Sequence, residues 1–523
     1  MQRIVSFRLG TEASVHREVT ASDNEIRAIS GRLSLGIGSA ALFQAVNAAQ
    51  AVVLVPLFLR AWGAQGYGQW LALTALISYL TLADLGGQNY IANLLAMAYA
   101  RGDREGFQRT LSEAISVFLA IGIASFVAVT LIIALFMSVP VPVFHRSINR
   151  AEAEVLFALG GRFLLLSMPG GVYATVYRAT GLYARGSIIA TAGVIFNVSV
   201  SAALLYVRAT PAILAWAMFA VGLALTIAIV IDSRRNVPEC HALRLGVARA
   251  RAGLAYLHGA IHFWLLGLAQ SFTQQGVLVI LASTASPIAV ATYATHRTLA
   301  SVANYVGVLV QGPVLPELSY LWAERRMREL AAATFVAIRT VVILTGAAAL
   351  LVWLATPAFY PAWTRHRLEI EPAILLVLLT QSVLASGWST ASWPLFASNR
   401  HRNISYCAIA TAAVMTVIIV ASVGQYGAVA VASAGLVADL VCGFMFIPMT
   451  TARFLGVSRA DIYGEIGRRF AWVLLAAVAA IAAQRFVPIS GLSYLAILVP
   501  VASVAWYLRS RIWSPPDVAI RTL

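Results

Sequence analysis

Residues 56–108 read PLFLRAWGAQGYGQWLALTALISYLTLADLGGQNYIANLLAMAYARGDREGFQ. An apolar run ends at Arg60, and a short connection rich in glycine follows over 60–68. A second apolar run then fills 69–91 before charged residues return at Arg101, Asp103, Arg104 and Glu105. A run of about 20 apolar residues is what one helical crossing of a bilayer needs. The stretch therefore reads as a membrane hairpin followed by a segment lying along the membrane surface.

The same grammar extends through the whole chain. Of 523 residues, 60% are hydrophobic and 11% are charged, with mean hydropathy +0.81. Soluble domains carry about 25% charged residues, so a soluble multidomain enzyme and a disordered chain are both excluded. Fourteen candidate spans lie near 35–59, 69–91, 113–138, 155–177, 187–207, 211–231, 259–283, 289–314, 333–356, 372–396, 404–421, 427–450, 470–487 and 491–508.

The net charge of +16 comes from 37 basic residues, every one of them arginine. With the N-terminus inside, 28 arginines fall in inside segments and 7 in outside ones, while Arg162 and Arg297 lie within spans. This asymmetry follows the positive-inside rule, fixes both termini in the cytoplasm and requires an even number of spans. The basic excess is thereby accounted for without nucleic acid as a partner. The polar stretch 1–34 reads as a cytoplasmic tail before an uncleaved first span.

The reading divides the chain into a tail (1–34), a six-helix bundle (35–232), a cytoplasmic linker (233–258) and a second six-helix bundle (259–450). Spans thirteen and fourteen follow with their loop (451–508), then a cytoplasmic tail (509–523). The bundles repeat weakly: Tyr67-Gly68 recurs as Tyr293-Ala294, and Gln50 as Gln274. Six spans returning to one side give parallel repeats, and transporters of this kind place their substrate between them. The fold class is an all-α polytopic membrane protein of about fourteen helices.

Few residues could carry chemistry. Gln44, Asn47 and Gln50 on span one, with Gln270 and Gln274 on span seven, must face protein or water. They either bond between helices or line a cavity between the bundles. Arg297 is the ninth residue of its span and cannot easily snorkel, whereas Arg162, near the outer end of span four, can reach the interface. Arg60 and Arg178 stand at span ends. These four arginines are the candidates for holding a diphosphate, since guanidinium groups bind phosphate in bidentate fashion. Asp439, midway along span twelve, and Asp84, late in span two, are the candidates for ion coupling. His296 adjoins Arg297. His258 and His262 stand one turn apart but lack a third metal ligand, and the three cysteines form no metal or disulfide pattern. No nucleotide-binding loop or nucleophile elbow is present, so no cofactor is expected and the chain does not read as an enzyme.

Certain residues carry a family resemblance. Pro56, Gly63, Tyr67-Gly68, Asp84-Leu85-Gly86 and Gly102-Asp103 follow one another as in bacterial polysaccharide flippases. These are the O-antigen and exopolysaccharide exporters of the multidrug/oligosaccharidyl-lipid/polysaccharide superfamily. Residues 289–324, with Tyr293, Arg297, Pro313 and Pro316, are similar to the second half of such proteins, and 424–434 to the start of their span twelve. Ala323-Glu324 departs from the Gly-Asp of the first half. The resemblance implies a MATE-like, V-shaped pair of bundles in the inner membrane. It also implies transport of a polyprenyl-diphosphate-linked oligosaccharide by alternating access, with a glycan polymerase and assembly proteins as further partners. A cation-coupled multidrug or metabolite exporter of the same fold is the alternative. A membrane glycosyltransferase or polymerase fits less well, because the loop 60–68 holds no acid and the outer loops are short.

Overall fold

The computed structural model describes residues 52–84, 87–140, 147–241, 243–398, 400 and 402–486, with scattered positions between 38 and 50. The N-terminal tail, Gln44, span fourteen and the C-terminal tail lie outside the described residues. Every regular element among those described is helical. In hydrocarbon a helix satisfies its backbone within one segment, so this is the expected solution for so apolar a chain.

Eight helices are long and apolar enough to cross a membrane. The first, α1 (Ala45–Ser78), is two crossings rather than one. The rings of Phe58 and Trp70 lie 5.9 Å apart and those of Trp62 and Trp70 5.4 Å apart. Twelve residues of straight helix would separate the first pair by about 18 Å, so the chain folds back between them. Gly63 makes the turn at φ +69°, a conformation that favours glycine.

Downstream, the second span is shorter than its apolar run. Its α-helix ends at Ser78, a tight turn covers Tyr79–Asp84, and a new helix, α2 (Gly87–Ala100), begins beyond. The expected surface segment at 93–112 is likewise divided. Gly102 turns at φ +69° and the Asp103 side chain accepts the Gly106 amide at 2.8 Å, opening α3 (Arg104–Ser138).

The remaining starts are written by the same capping chemistry. Asn149 and Glu152 form a capping box that opens α4 (Arg150–Ala179). Then come α5 (Tyr183–Tyr206) and α6 (Pro211–Asn236), whose Thr210 cap and Pro211 suit a first turn. Next are α7 (Val247–Ser271), α8 (Val277–Thr284) and α9 (Pro287–Ala323), the last opened by Ser286 and Pro287. After these run α10 (Met327–Trp363), α11 (Pro372–Ala397), α12 (Arg402–Leu455) and α13 (Arg459–Phe486). Helix α12 is two crossings joined at Gly427, φ +53°. Span nine was expected to stop at 356, but α10 continues through Pro357 and Pro361 to Trp363. A membrane helix tolerates such prolines when neighbouring groups satisfy the freed carbonyls.

The connection after α6 is docked rather than free. Tyr256 donates to Glu113 at 2.6 Å, and a side chain added at Gly253 would meet the Glu113 carbonyl at 2.7 Å. The amides of Arg244 and Gly246 reach Ser112 and Ser116, each at 3.3 Å. Helix α7 is thus fastened along α3 before it becomes span seven.

The halves also meet at the Trp363 end of α10. Trp363 of α10 donates its indole N–H to the Val52 carbonyl of α1 at 2.7 Å. Val52 stands eleven residues before the Gly63 turn, or roughly 16 Å along the helix. The outer end of α10 therefore reaches well down the side of the α1 hairpin. At Gly68 the backbones themselves touch: a Cβ there would lie 1.8 Å from the Pro287 carbonyl oxygen. Neither backbone can yield cheaply. Gly68→Ala is expected to destabilise the protein by about 1–3 kcal/mol, read as a lowered thermal midpoint in detergent. Gly467→Ala, where nothing lies within 4 Å, is expected to leave the midpoint in place. Equal midpoints for the two variants would contradict this contact.

Candidate functional site

Arg297 stands on α9 one turn after Tyr293, and its guanidinium lies 5.7 Å from the centre of that ring. Its Nη1 donates to the main-chain carbonyl of Gln274. That carbonyl belongs to the wide turn Phe272–Gly276 between α7 and α8, a π-helical segment. Such a turn interrupts the usual i→i−4 pairing and often marks a functional position. Here it presents a carbonyl to a cation. The first half contributes Tyr67, buried and within the electrostatic field of Arg297, directly before the Gly68 contact. Tyr79 brings its hydroxyl to Gly276, 2.6 Å from where a Cβ would stand. Spans two, seven and eight thus converge around one guanidinium. Among the described residues it has no carboxylate partner, although other arginines of the chain do.

His296, next in sequence, faces the other way and is fully buried. Its Nδ1 pairs with the Thr292 carbonyl at 2.7 Å, and its Nε2 accepts the Glu371 amide at 3.0 Å. These two bonds define the neutral tautomer with the proton on Nδ1. Tyr360 adds a bond to Thr295 at 2.9 Å. One face of α9 therefore holds the outer connection of α10 and α11, and the adjacent face holds Arg297.

The other candidate arginines occupy separate places. Arg60 lies beside the Gly63 turn with its guanidinium 4.5 Å over the Tyr206 ring, within the first half. Arg178 is exposed in the last turn of α4, at the opposite end of the molecule. Arg162 opens a second π-helical turn, Arg162–Ser167, with its stem against Gly222 of α6. The sequence placed it near the outer end of its span. Helix α4 begins at Arg150, so Arg162 lies about 18 Å along it, beyond first turns that carry the charged Arg150, Glu152 and Glu154. Its guanidinium has no hydrogen bond or ion pair among the described residues.

Asp439 opens a third π-helical turn, Asp439–Phe444, in α12 and is 8% exposed. Gln381 of α11 donates to its carboxylate at 2.8 Å. Sequence reasoning missed Gln381, although a glutamine inside span ten was visible. No cation pairs with Asp439 among the described residues. Asp84 is half-buried at the end of the short turn that closes span two. Of the amides, Asn47 donates back to the Phe43 carbonyl at 2.8 Å, Gln50 is half-buried, and Gln270 and Gln274 are exposed. Gln274 serves Arg297 through its main chain, not its amide. His258 and His262 fall within α7, with side chains outside the described set; among described residues no three ligands gather for a metal.

This arrangement of helices is similar to that of several solved membrane proteins. The structure of lipid II flippase MurJ in an inward closed conformation superposes with a TM-score of 0.70 at 12% identity, covering 90% of this chain and 99% of that one. An inward-facing multidrug resistance MATE family transporter of the MOP superfamily gives 0.61 at 15%, covering 79% and 94%. A MATE in the straight conformation gives 0.53 at 15%, covering 82% and 96%. No family model matches the chain, and no curated protein does. At 12–15% identity these likenesses show a shared fold.

The buried Asp439–Gln381 pair makes an immediate test. Gln381→Leu strands a buried carboxylate and is expected to cost about 1–3 kcal/mol, measured as a fall in thermal midpoint. Adding Asp439→Leu removes both partners and is expected to recover most of that loss. A double variant no more stable than the single one would show that the pair is not the reason.

Proposed function

We propose that the protein is a flippase for a polyprenyl-diphosphate-linked oligosaccharide, moving it from the inner to the outer leaflet of the cytoplasmic membrane. One observation carries this reading: Arg297 stands where the two halves meet, anchored by a carbonyl and an aromatic face and, among the described residues, by no carboxylate. A cation left unneutralised in such a place suits an anionic substrate, and a guanidinium matches phosphate oxygens in a bidentate fit. The polyprenyl chain would remain in lipid while the diphosphate and sugars pass between the halves. Rocking of one half against the other would expose the site to each side in turn. Arg162, without an ionic partner among the described residues, is the second candidate for a phosphate contact. Arg60 and Arg178 would serve at the two ends of the path.

The glycan so delivered would go to surface or exopolysaccharide assembly, with a polymerase and assembly proteins as partners. A cation-coupled exporter of drugs or metabolites is the second reading. Asp439 favours it, as a buried carboxylate without a cationic neighbour. The readings combine if Asp439 takes up the coupling ion for an anionic cargo.

A strain lacking the protein and any redundant exporter is expected to accumulate the lipid-linked repeat unit in the inner leaflet. Arg297→Ala is expected to reproduce that defect at unchanged protein level, and Gln274→Ala to complement it, because its carbonyl survives the substitution. Normal surface glycan in the null strain, with new sensitivity to cationic dyes, would favour the exporter instead.

A further inference from the structure

Helix α13 is fastened to the second half through one carboxylate that serves three guanidinium groups. Glu465 Oε1 accepts from Arg339 of α10 at 2.7 Å and from Arg469 at 2.8 Å, and its Oε2 accepts from Arg468 at 2.8 Å. The Glu465 side chain is 2% exposed, Arg339 10% and Arg469 16%, whereas Arg468 is 69% exposed. Among the described residues Arg468 and Arg469 pair with no carboxylate but this shared one. The only other acid on α13, Asp461, makes no ion pair among the described residues. Two of the three arginines are mostly withdrawn from water, so bulk solvent screens their charge poorly.

The position of the cluster says what supplies the missing anion. From Phe470 to Ala483 the sequence of α13 is apolar, so Arg468 and Arg469 stand where the helix enters hydrocarbon on the arginine-rich side of the protein. On the same helical face as Arg468, one and two turns deeper, lie Trp472 and Leu475, 65% and 62% exposed. Val478, 58% exposed, extends this outward surface. A cation, then an interfacial tryptophan, then an exposed apolar strip is the order of groups met along a phospholipid from phosphate to acyl chain.

We propose that Arg468 and Arg469 form a binding site for the phosphate of an anionic phospholipid in the cytoplasmic leaflet. The acyl chain lies along Trp472 and Leu475. This site is separate from Arg297 and holds whichever cargo the transporter carries. The lipid phosphate neutralises part of the positive charge around Glu465 and so strengthens the docking of α13 against α10.

The test is retention of phospholipid by the purified full-length protein in detergent, read by native mass spectrometry. Phosphatidylglycerol and phosphatidylcholine of the same acyl chains are supplied separately. The wild type is expected to retain phosphatidylglycerol in preference. Arg469→Gln leaves the Arg339–Glu465 pair neutral and intact, and is expected to lower that retention about fivefold, the factor for one basic residue near an anionic surface. Arg468→Gln is expected to act in the same direction; it removes a mostly exposed side chain together with its bond to Glu465 Oε2. Arg326→Gln, an exposed cation already paired with Glu324 and Glu329, is expected to change nothing. Equal retention of the two lipids by the wild type would overturn the proposal. So would Arg468 and Arg469 variants that behave like Arg326→Gln. Displacement of the bound lipid by millimolar inorganic phosphate alone would show a soluble anion site and overturn the assignment to lipid.

Discussion

A guanidinium within a predicted span, with no carboxylate partner among the described residues, is the constraint around which this molecule is arranged. Arg297 costs several kcal/mol wherever it stands in a bilayer core unless protein or water solvates it. The protein meets that cost with a main-chain carbonyl and an aromatic face, and neither cancels the charge. The carbonyl is available because the helix between α7 and α8 widens at Phe272–Gly276. The aromatic face is Tyr293, one turn away on the same helix. The first half comes close enough to take part because residue 68 is glycine, so that its backbone rests on the Pro287 carbonyl. Each of these features would be an imperfection in a purely structural helix bundle. Together they hold a cation at the seam of two halves.

Among the described residues three wide turns interrupt the membrane helices, and each carries a polar group that sequence reading had singled out. Arg162 opens the first, Gln274 lies in the second and Asp439 opens the third. A π-helical turn breaks the regular backbone pairing of its helix. Such breaks are tolerable in a membrane where other protein groups or water complete the bonding. Their coincidence with the intramembrane charges places the polar chemistry of this chain where its helices are least regular.

Most of the crossings were legible in the sequence, because each has a local cause: an apolar run of sufficient length gives a span. The caps at Asp103, Asn149, Thr210 and Ser286, which open their helices, have equally local causes. Helix ends were less legible. Span two stops at Ser78 although its apolar run continues, and α10 runs on through two prolines to Trp363. Both are settled by neighbouring elements rather than by local preference. The start of α4 at Arg150 was less legible, because the polar residues of its first turn looked like loop. Contacts between distant residues had no local signal at all: Gln381 with Asp439, Glu371 with His296, Arg339 with Glu465. The wide turns were equally silent, since no composition distinguishes them.

The seam and the substrate are bound together in this account, and one measurement addresses both. Purified protein in proteoliposomes would be given a fluorescent polyprenyl-diphosphate-linked sugar, with the fraction reaching the opposite leaflet followed by impermeant quencher. Transfer by the wild type, with loss in Arg297→Ala and retention in Gln274→Ala, is the expected result. Transfer that proceeds equally well without the Arg297 guanidinium would contradict the claim that this cation receives the phosphate.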